Sequence, residues 1–472
     1  MKLPTLFILL FSWALNASAQ TDSSGYKSHI HQVYSNKFII EKINFKGNKR
    51  THASILLREL NLQLLQEIAV DSLPYFLKTN CDRLYNTSLF TDVSIGVDTV
   101  AANIIHLNIW VKERWYIYPE VSFELADRNF NVWWTEQNRD ISRSVIGVSI
   151  KQGNLFGNRE QLTVTTQLGY RQEFGLGYSA PFIDKEKKHG AGFKVSYSQN
   201  KEIFYATDSN KLKFIRILKE PMLQRVFGAI SYSYRPQYAT THLFHTAYNY
   251  SKIADTIAKL NPEFYYQGKT SLEYLEASYR IEVNHVDNWN YPLHGLKVVG
   301  NVAARFVNFK DLKFYAVGTL ELGKFDQLKS SKFYTSFIFR GKLSLPVHQP
   351  YVMQQGLGTK YEYVRGYEMY VIDGYHFGLG RGSLKYELLN YSIKNIPFRY
   401  LPVLPLRIYP KIFADAGYVY NPTPGNSFLN NQLLYSVGAG FDFVTAYDFK
   451  LRVEYVVNHL GQKGLFLHIN SE

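Results

Sequence analysis

Only one cysteine, Cys81, occurs among 472 residues, so no internal disulfide can hold this chain together. Long apolar runs are equally scarce. After a stretch from Leu3 to Leu15, no segment supplies the roughly 18 or more continuous apolar residues that a membrane helix needs. Methionine is rare at 4 residues, and neither a G-x-S-x-G elbow nor an H-E-x-x-H pair occurs. These absences argue against a disulfide-stapled scaffold, a helical membrane bundle, a serine hydrolase of the elbow type and a zinc protease. Stability has to come from backbone pairing and burial.

Aromatic residues are abundant: 37 Tyr, 32 Phe and 6 Trp make up 16% of the chain. The interface girdles of a membrane β-barrel use that composition. The formal charge is +14, from 53 Lys and Arg against 39 Asp and Glu. The basic residues are dispersed, so nucleic acid is not the expected partner. The opening MKLPTLFILLFSWALNASAQ places one lysine before an apolar run and a small-residue Ala17-Ser18-Ala19 site, the pattern of a secretory signal peptide over residues 1–19. Export is the expectation, and no cysteine follows the run to carry a lipid anchor.

The rest divides by texture. A polar linker covers about 20–37. From 38 to 115 the pattern reads β-α-α-β-β: a strand at 38–45 ending at Gly47-Asn48, a helix over 51–60, a second helix from Ser72, read as its N-cap, to about Tyr85, and strands at 92–100 and 104–113. In the second helix Leu73, Phe76, Leu77, Cys81 and Leu84 share one face. This is a small α+β domain with one core.

From about Tyr116 the period becomes two. Leu162, Val164, Thr166 and Leu168 alternate with Thr163, Thr165 and Gln167; Leu451, Val453, Tyr455 and Val457 alternate with Lys450, Arg452, Glu454 and Asn458. Sixteen such runs can be counted, at about 116–126, 143–152, 160–171, 173–182, 190–202, 223–235, 239–252, 271–286, 295–308, 311–325, 331–346, 375–390, 405–419, 432–444, 447–458 and 463–470. Most exceed a globular strand and match the roughly 9–11 residues that cross a bilayer at a tilt. An even number closes an antiparallel transmembrane barrel, the fold expected for 116–472. The long connections at 127–142, 203–222, 253–270 and 347–374 all follow odd-numbered strands, as external loops should if the first domain is periplasmic. The connection at 391–404 is the one longish exception.

Several segments then resemble a known family. Gly47-Asn48, Thr51, LREL at 57–60 and LFTDV at 89–93 resemble a POTRA module. NLFGN (154–158), YSAPF (178–182), VDNWNYPLHG (286–295), VRGY (364–367) and FADAG (413–417) resemble the barrel of the BamA/TamA superfamily of outer-membrane assembly and translocation factors. On the residues alone, Arg365 is an exposed loop arginine and Asp415 an ordinary strand aspartate. The resemblance implies instead a latch, in which Arg365 of the loop before the twelfth strand folds into the lumen and pairs with Asp415 on the thirteenth. Val364, Gly366 and Tyr367 would accompany it, with Gly366 permitting the close approach and Tyr367 filling space. Phe413 and Gly417 share the face of Asp415.

Other candidates are weaker. Gly378-x-Gly380-x-Gly382 lacks the following helix of a phosphate cradle and reads as a glycine-relieved strand start. His29 and His31 have no third metal ligand. The basic stretch 211–225 reads either as a solvated loop or as a segment against anionic headgroups. Pro119 in the first strand and Gly464 in a short last strand suggest a weak lateral seam, unless Pro119 merely precedes the first paired residue. No cofactor, metal or catalytic group is expected. The family resemblance implies a non-enzymatic factor in the outer membrane of a Gram-negative bacterium that inserts or translocates polypeptides. Its partners would be unfolded outer-membrane or secreted clients, outer-membrane lipid and periplasmic proteins. Room for a single POTRA module, and an end INSE without a terminal aromatic, point to a specialised paralogue. The alternatives are a dedicated exporter of one secreted protein and a passive pore or structural barrel.

Overall fold

The computed structural model describes residues 36–469, apart from 61, 102, 126–129, 136–137, 142–143, 218–219, 308–312, 330, 360–361, 395–402 and 446–448. The signal peptide, nearly all of the linker and the His29/His31 pair lie outside the described residues.

The first domain comprises β1 (Lys37–Lys46), α1 (Ala53–Glu59), β2 (Glu67–Ala69), α2 (Leu73–Asn86), β3 (Phe90–Ala101) and β4 (Ile104–Glu113). Its sheet runs in the order β2-β1-β4-β3, with β1 parallel to β4. Ile40, Leu56, Leu84, Ile105, Leu107 and Ile109 form its core, and Leu73, Phe76 and Leu77 of α2 pack against it. The short β2 was not anticipated, because three residues carry no readable period. Ser72 does not cap α2. Its hydroxyl donates to the Ala69 carbonyl at 3.0 Å, because a 3₁₀ turn over Val70–Ser72 already leads into the helix.

The chain then enters the barrel. Its strands are β5 (Ile117–Leu125), β6 (Ser144–Gly153), β7 (Gln161–Gly169), β8 (Arg171–Ala180), β9 (His189–Asn200), β12 (Leu223–Tyr234), β13 (Thr240–Ile253), β14 (Ser271–Val286), β15 (Gly295–Val307), β16 (Lys313–Gln327), β17 (Phe333–Leu345), β18 (His376–Tyr386), β19 (Leu389–Lys394), β20 (Val403–Tyr420), β21 (Leu434–Val444), β22 (Lys450–Asn458) and β23 (Lys463–Ile469). Because β18 and β19 both pair with β20, they are two parts of one strand, and the barrel has sixteen strands among the described residues. The sheet closes where β23 meets β5. The glycines at 378, 380 and 382 lie inside β18 rather than at its start, on the opposite face from buried Leu379 and Arg381.

The pattern is inside-out relative to a water-soluble protein. Val148, Ile150, Val164, Phe174, Leu176, Phe193 and Val195 are exposed on the outer wall, while charged side chains are drawn inward. Glu276 bonds Arg305 opposite it at 2.6 Å, and Glu321 bonds Arg340 opposite it at 3.0 Å. An apolar exterior facing hydrocarbon with paired charges in the lumen is the arrangement a membrane barrel requires.

Both ends are covered. The turns after the second, fourth, sixth and eighth strands all bond the first domain: Thr51 with Asn154, Arg58 with the Lys187 carbonyl, Glu59 with Arg235, and Asn86 with Tyr238 and the Asp287 carbonyl. At the other end, the connection after β9 is a hairpin of β10 (Glu202–Asp208) and β11 (Lys211–Arg216). The basic 211–225 stretch is therefore largely strand, with Ile215 and Ile217 packed into an apolar cluster that includes Met222, Ile257, Phe264 and Met353.

Candidate functional site

The described residues of 347–374 fold inward from that far end. Val364 and Tyr367 are buried with Leu357, Ile372, Leu379 and Val419 in one cluster. The descent is possible because Gly366 takes φ +85, where a Cβ would stand 2.8 Å from the Val456 side chain. Gly417 opens the wall to receive the loop, since a Cβ there would meet Val364 at 2.6 Å.

Arg365 and Asp415 are brought together. The guanidinium donates through Nε at 2.8 Å and Nη2 at 2.5 Å to the two carboxylate oxygens, and the Arg365 amide adds a third bond at 3.1 Å. The side chains are 2% and 0% exposed, and the guanidinium lies 3.8 Å from the centre of the Phe413 ring. Paired, bidentate and stacked, this is the geometry in which a buried arginine is tolerated.

The pair belongs to a larger alternation of charge that pairwise sequence reading missed. Arg365 also donates to Glu454 at 3.2 Å; Lys411 bonds Glu454 at 2.7 Å and Asp442 at 2.5 Å; Tyr291 donates to Asp442 at 2.8 Å. Arg381 stands 3.7 Å from Asp415 and donates to the Tyr363 carbonyl. The series runs from the inserted loop to the turn 287–294, which touches Asn86 of the first domain. The signal was partly present, since Arg452 and Glu454 were read on one face, but nothing in the sequence states which strands carry their partners.

The loop also grips the last hairpin. Asn458 donates to the Gly366 carbonyl at 2.8 Å, Gln462 to the Tyr370 hydroxyl at 2.6 Å, and the Tyr367 hydroxyl contacts His459; Tyr363 stacks on His468 with centroids 5.3 Å apart. Gly464 lies opposite Val456 and lines, with Gly366, Tyr370 and Phe466, a cavity of about 280 Å³. Pro119 is the third residue of β5, paired opposite Ile150, so it lies within the ladder and not before it. Gly366 and Gly464 are thus neighbours across one small space, while Pro119 sits on the strand beyond.

A residue absent from the sequence reading clasps the far mouth. Asn210, fully buried at the tip of the β10–β11 hairpin with φ +60, donates to the Val371 carbonyl and the Ser427 hydroxyl at 2.9 and 2.7 Å, and accepts from the Phe428 and Leu429 amides. One side chain joins three loops. Asn210→Ala should leave these groups unsatisfied and cost the cap about 2–3 kcal/mol, raising its open population by roughly 30-fold to 150-fold. Single-channel conductance in planar bilayers checks this as more frequent opening.

At the opposite end, the domain is seated by charge. Arg235 donates to both oxygens of Glu59 at 2.5 and 2.8 Å, with Arg159 at 3.6 Å. Burial alone would raise the Glu59 carboxyl, but the charge and hydrogen bonds of Arg235, then Arg159 and Arg58, hold it below its ordinary value. Asp82 of α2 goes the other way: burial, reinforced by Asp287 and opposed by Lys78, pushes it up to about 6. The seated state therefore holds the Asp82 proton more tightly than the unfolded chain does. Its contribution to stability is present below the ordinary carboxylate range and declines as pH rises through about 6. Asp82→Asn should strengthen seating at neutral pH and flatten that dependence, as read by hydrogen exchange of the 287–294 turn between pH 5 and 7.5.

No protein-family model matches the chain. It is 26% identical over 272 residues, 57% of its length, to the outer membrane protein assembly factor BamA of Neorickettsia risticii (strain Illinois). The match spans only 32% of that protein. The crystal structure of BamA from Haemophilus ducreyi lacking POTRA domains 1–3 superposes with a TM-score of 0.50 at 13% identity, covering 91% of this chain and 83% of the other. The chain is similar to BamA/TamA-type outer-membrane factors. CdiB from Escherichia coli is also similar in fold, with a TM-score of 0.51 at 10% identity over 92% of this chain and 75% of the other. With the apolar outer wall, these likenesses place the protein among outer-membrane β-barrels.

Proposed function

We propose that this protein inserts or translocates polypeptides at the outer membrane, with its first domain, a POTRA-like module, in the periplasm and no chemical step of its own. The similarity to an assembly factor supports the reading, and the β23–β5 closure carries it. One of the two strands that meet there contains a proline, which cannot donate to a ladder, and the described part of the other spans seven residues. The latch holds the hairpin that ends in that short strand. A seam in which one strand carries a proline without an amide donor, braced from within, would be suited to opening sideways and templating a client strand by edge pairing. Strand pairing and lipid burial in the client would supply the free energy of insertion.

The covered mouths speak against a passive pore. Depletion of the protein followed by quantification of the outer-membrane and secreted proteomes tests the proposal. Broad loss of barrel proteins, or loss of a secreted polypeptide, supports polypeptide handling and separates its two forms. Altered solute uptake with an unchanged proteome overturns it.

A further inference from the structure

Between the first domain and the lumen lies a chamber of about 620 Å³ that the latch and the seam do not use. Its floor is the domain, at Thr87, Leu89 and Arg114, and its walls are the inner faces of barrel strands from β6 to β13. Arg114, Lys151, Arg159 and Arg235 line it against a single carboxylate, Glu160, among the described residues. That carboxylate is occupied by its own turn, accepting from the Phe156 and Asn158 amides at 3.1 and 3.0 Å. Just beneath, Arg58 joins the same Arg159 and Arg235 around Glu59, with Asp184 acting on Arg58, so that over the chamber and its lower wall cations still outnumber carboxylates among the described residues. In a half-enclosed space with low-dielectric walls such an excess attracts anions strongly.

The remaining lining selects among anions. Ser231 and Ser233, two residues apart on β12, face the chamber with Ser179 and Thr241 of β8 and β13, so hydroxyls recur at strand spacing. Phe182, Leu243 and Trp289 add apolar surface between them. We infer that the chamber binds an acidic segment of extended polypeptide, with carboxylates on the guanidinium and ammonium groups and backbone amides on the hydroxyls. The choice of a peptide over another anion rests on the polypeptide-handling reading; the site itself does not.

The test uses the full chain in detergent and a fluorescein-labelled peptide alternating glutamate and serine, read by anisotropy. The acidic peptide should bind about tenfold more tightly than its glutamine counterpart, the scale of one charge-assisted bond, and weaken with salt. Lys151→Glu should abolish that preference and Lys151→Arg retain it, with heat-modifiable migration on gels confirming a folded barrel in both. Equal affinity for the two peptides, or full preference in a folded Lys151→Glu protein, overturns the inference. Complete displacement by inorganic phosphate at equal charge concentration also overturns it, since the site would then read charge alone. A positive binding result with an unchanged proteome on depletion would keep the chamber and remove the assembly function.

Discussion

Asp415→Ala should destabilise the barrel by about 3–5 kcal/mol, because it takes from the buried Arg365 guanidinium the carboxylate that it grips with two bonds. Arg381, 3.7 Å from the same carboxylate, loses it too. The temperature at which the folded band converts on a semi-native gel should fall, and protease should gain access to residues 347–374. Arg365→Met combined with Asp415→Leu removes both charges of the pair and should recover a large part of the loss, since replacing a buried pair by apolar side chains is often near neutral. A double variant as unstable as Asp415→Ala would mean that the loop is held by something other than this pair. The role matters because the same loop holds the last hairpin through Asn458, Gln462 and His459. Loosening it should loosen the seam.

The second large effect is expected at the other end. Glu59→Ala leaves Arg58, Arg159 and Arg235 facing one another with their shared counter-ion gone. The loss to seating should also be about 3–5 kcal/mol, the range for one partner removed from a buried pair. Glu59→Gln, which keeps an acceptor for Arg235, should lose less. Hydrogen exchange in the turns at 154–160 and 235–239 reports the change directly, and unaltered protection in Glu59→Ala would contradict it. The pH response carries the opposite sign to that of Asp82. Glu59 is held below its ordinary value, so its contribution is present at neutral pH and is lost only as pH falls below the ordinary carboxylate range. Seating should therefore be strongest in mildly acidic solution and weaken on either side.

Much of the architecture could be read from the residues because period-two alternation is a direct image of a wall with two solvents. Each of the sixteen runs corresponds to one strand of the barrel, and the twelfth run at 375–390 contains the break that separates β18 from β19. The exception noted at 391–404 shortens in the same way, since β19 extends to Lys394 and β20 starts at Val403. The small domain was less legible. A three-residue strand has no period, and a 3₁₀ turn takes the place where Ser72 was read as a cap.

The site divides along a similar line. Arg365 and Asp415 were paired through a family likeness, not through spacing, for 50 residues separate them. Glu454 was read only as one face of an alternating strand, and Lys411 and Asp442 drew no reading, because single-strand patterns show which face a charge occupies and not what lies opposite. Glu59 and Arg235 are 176 residues apart, and only the seating of a separate domain brings them together. Asn210 gave the faintest signal, a Ser-Asn turn between two short alternating runs. Its importance comes from the loops that converge on it.

The most direct test locks the closure. With Cys81 replaced by serine, one cysteine on β5 and one on β23 are joined by oxidation, and insertion of an unfolded outer-membrane client into liposomes holding the protein is followed in the oxidised and reduced states. Insertion should stop in the locked barrel and return on reduction. Undiminished insertion through a fully cross-linked β5–β23 junction would contradict the proposal that the barrel works by parting there.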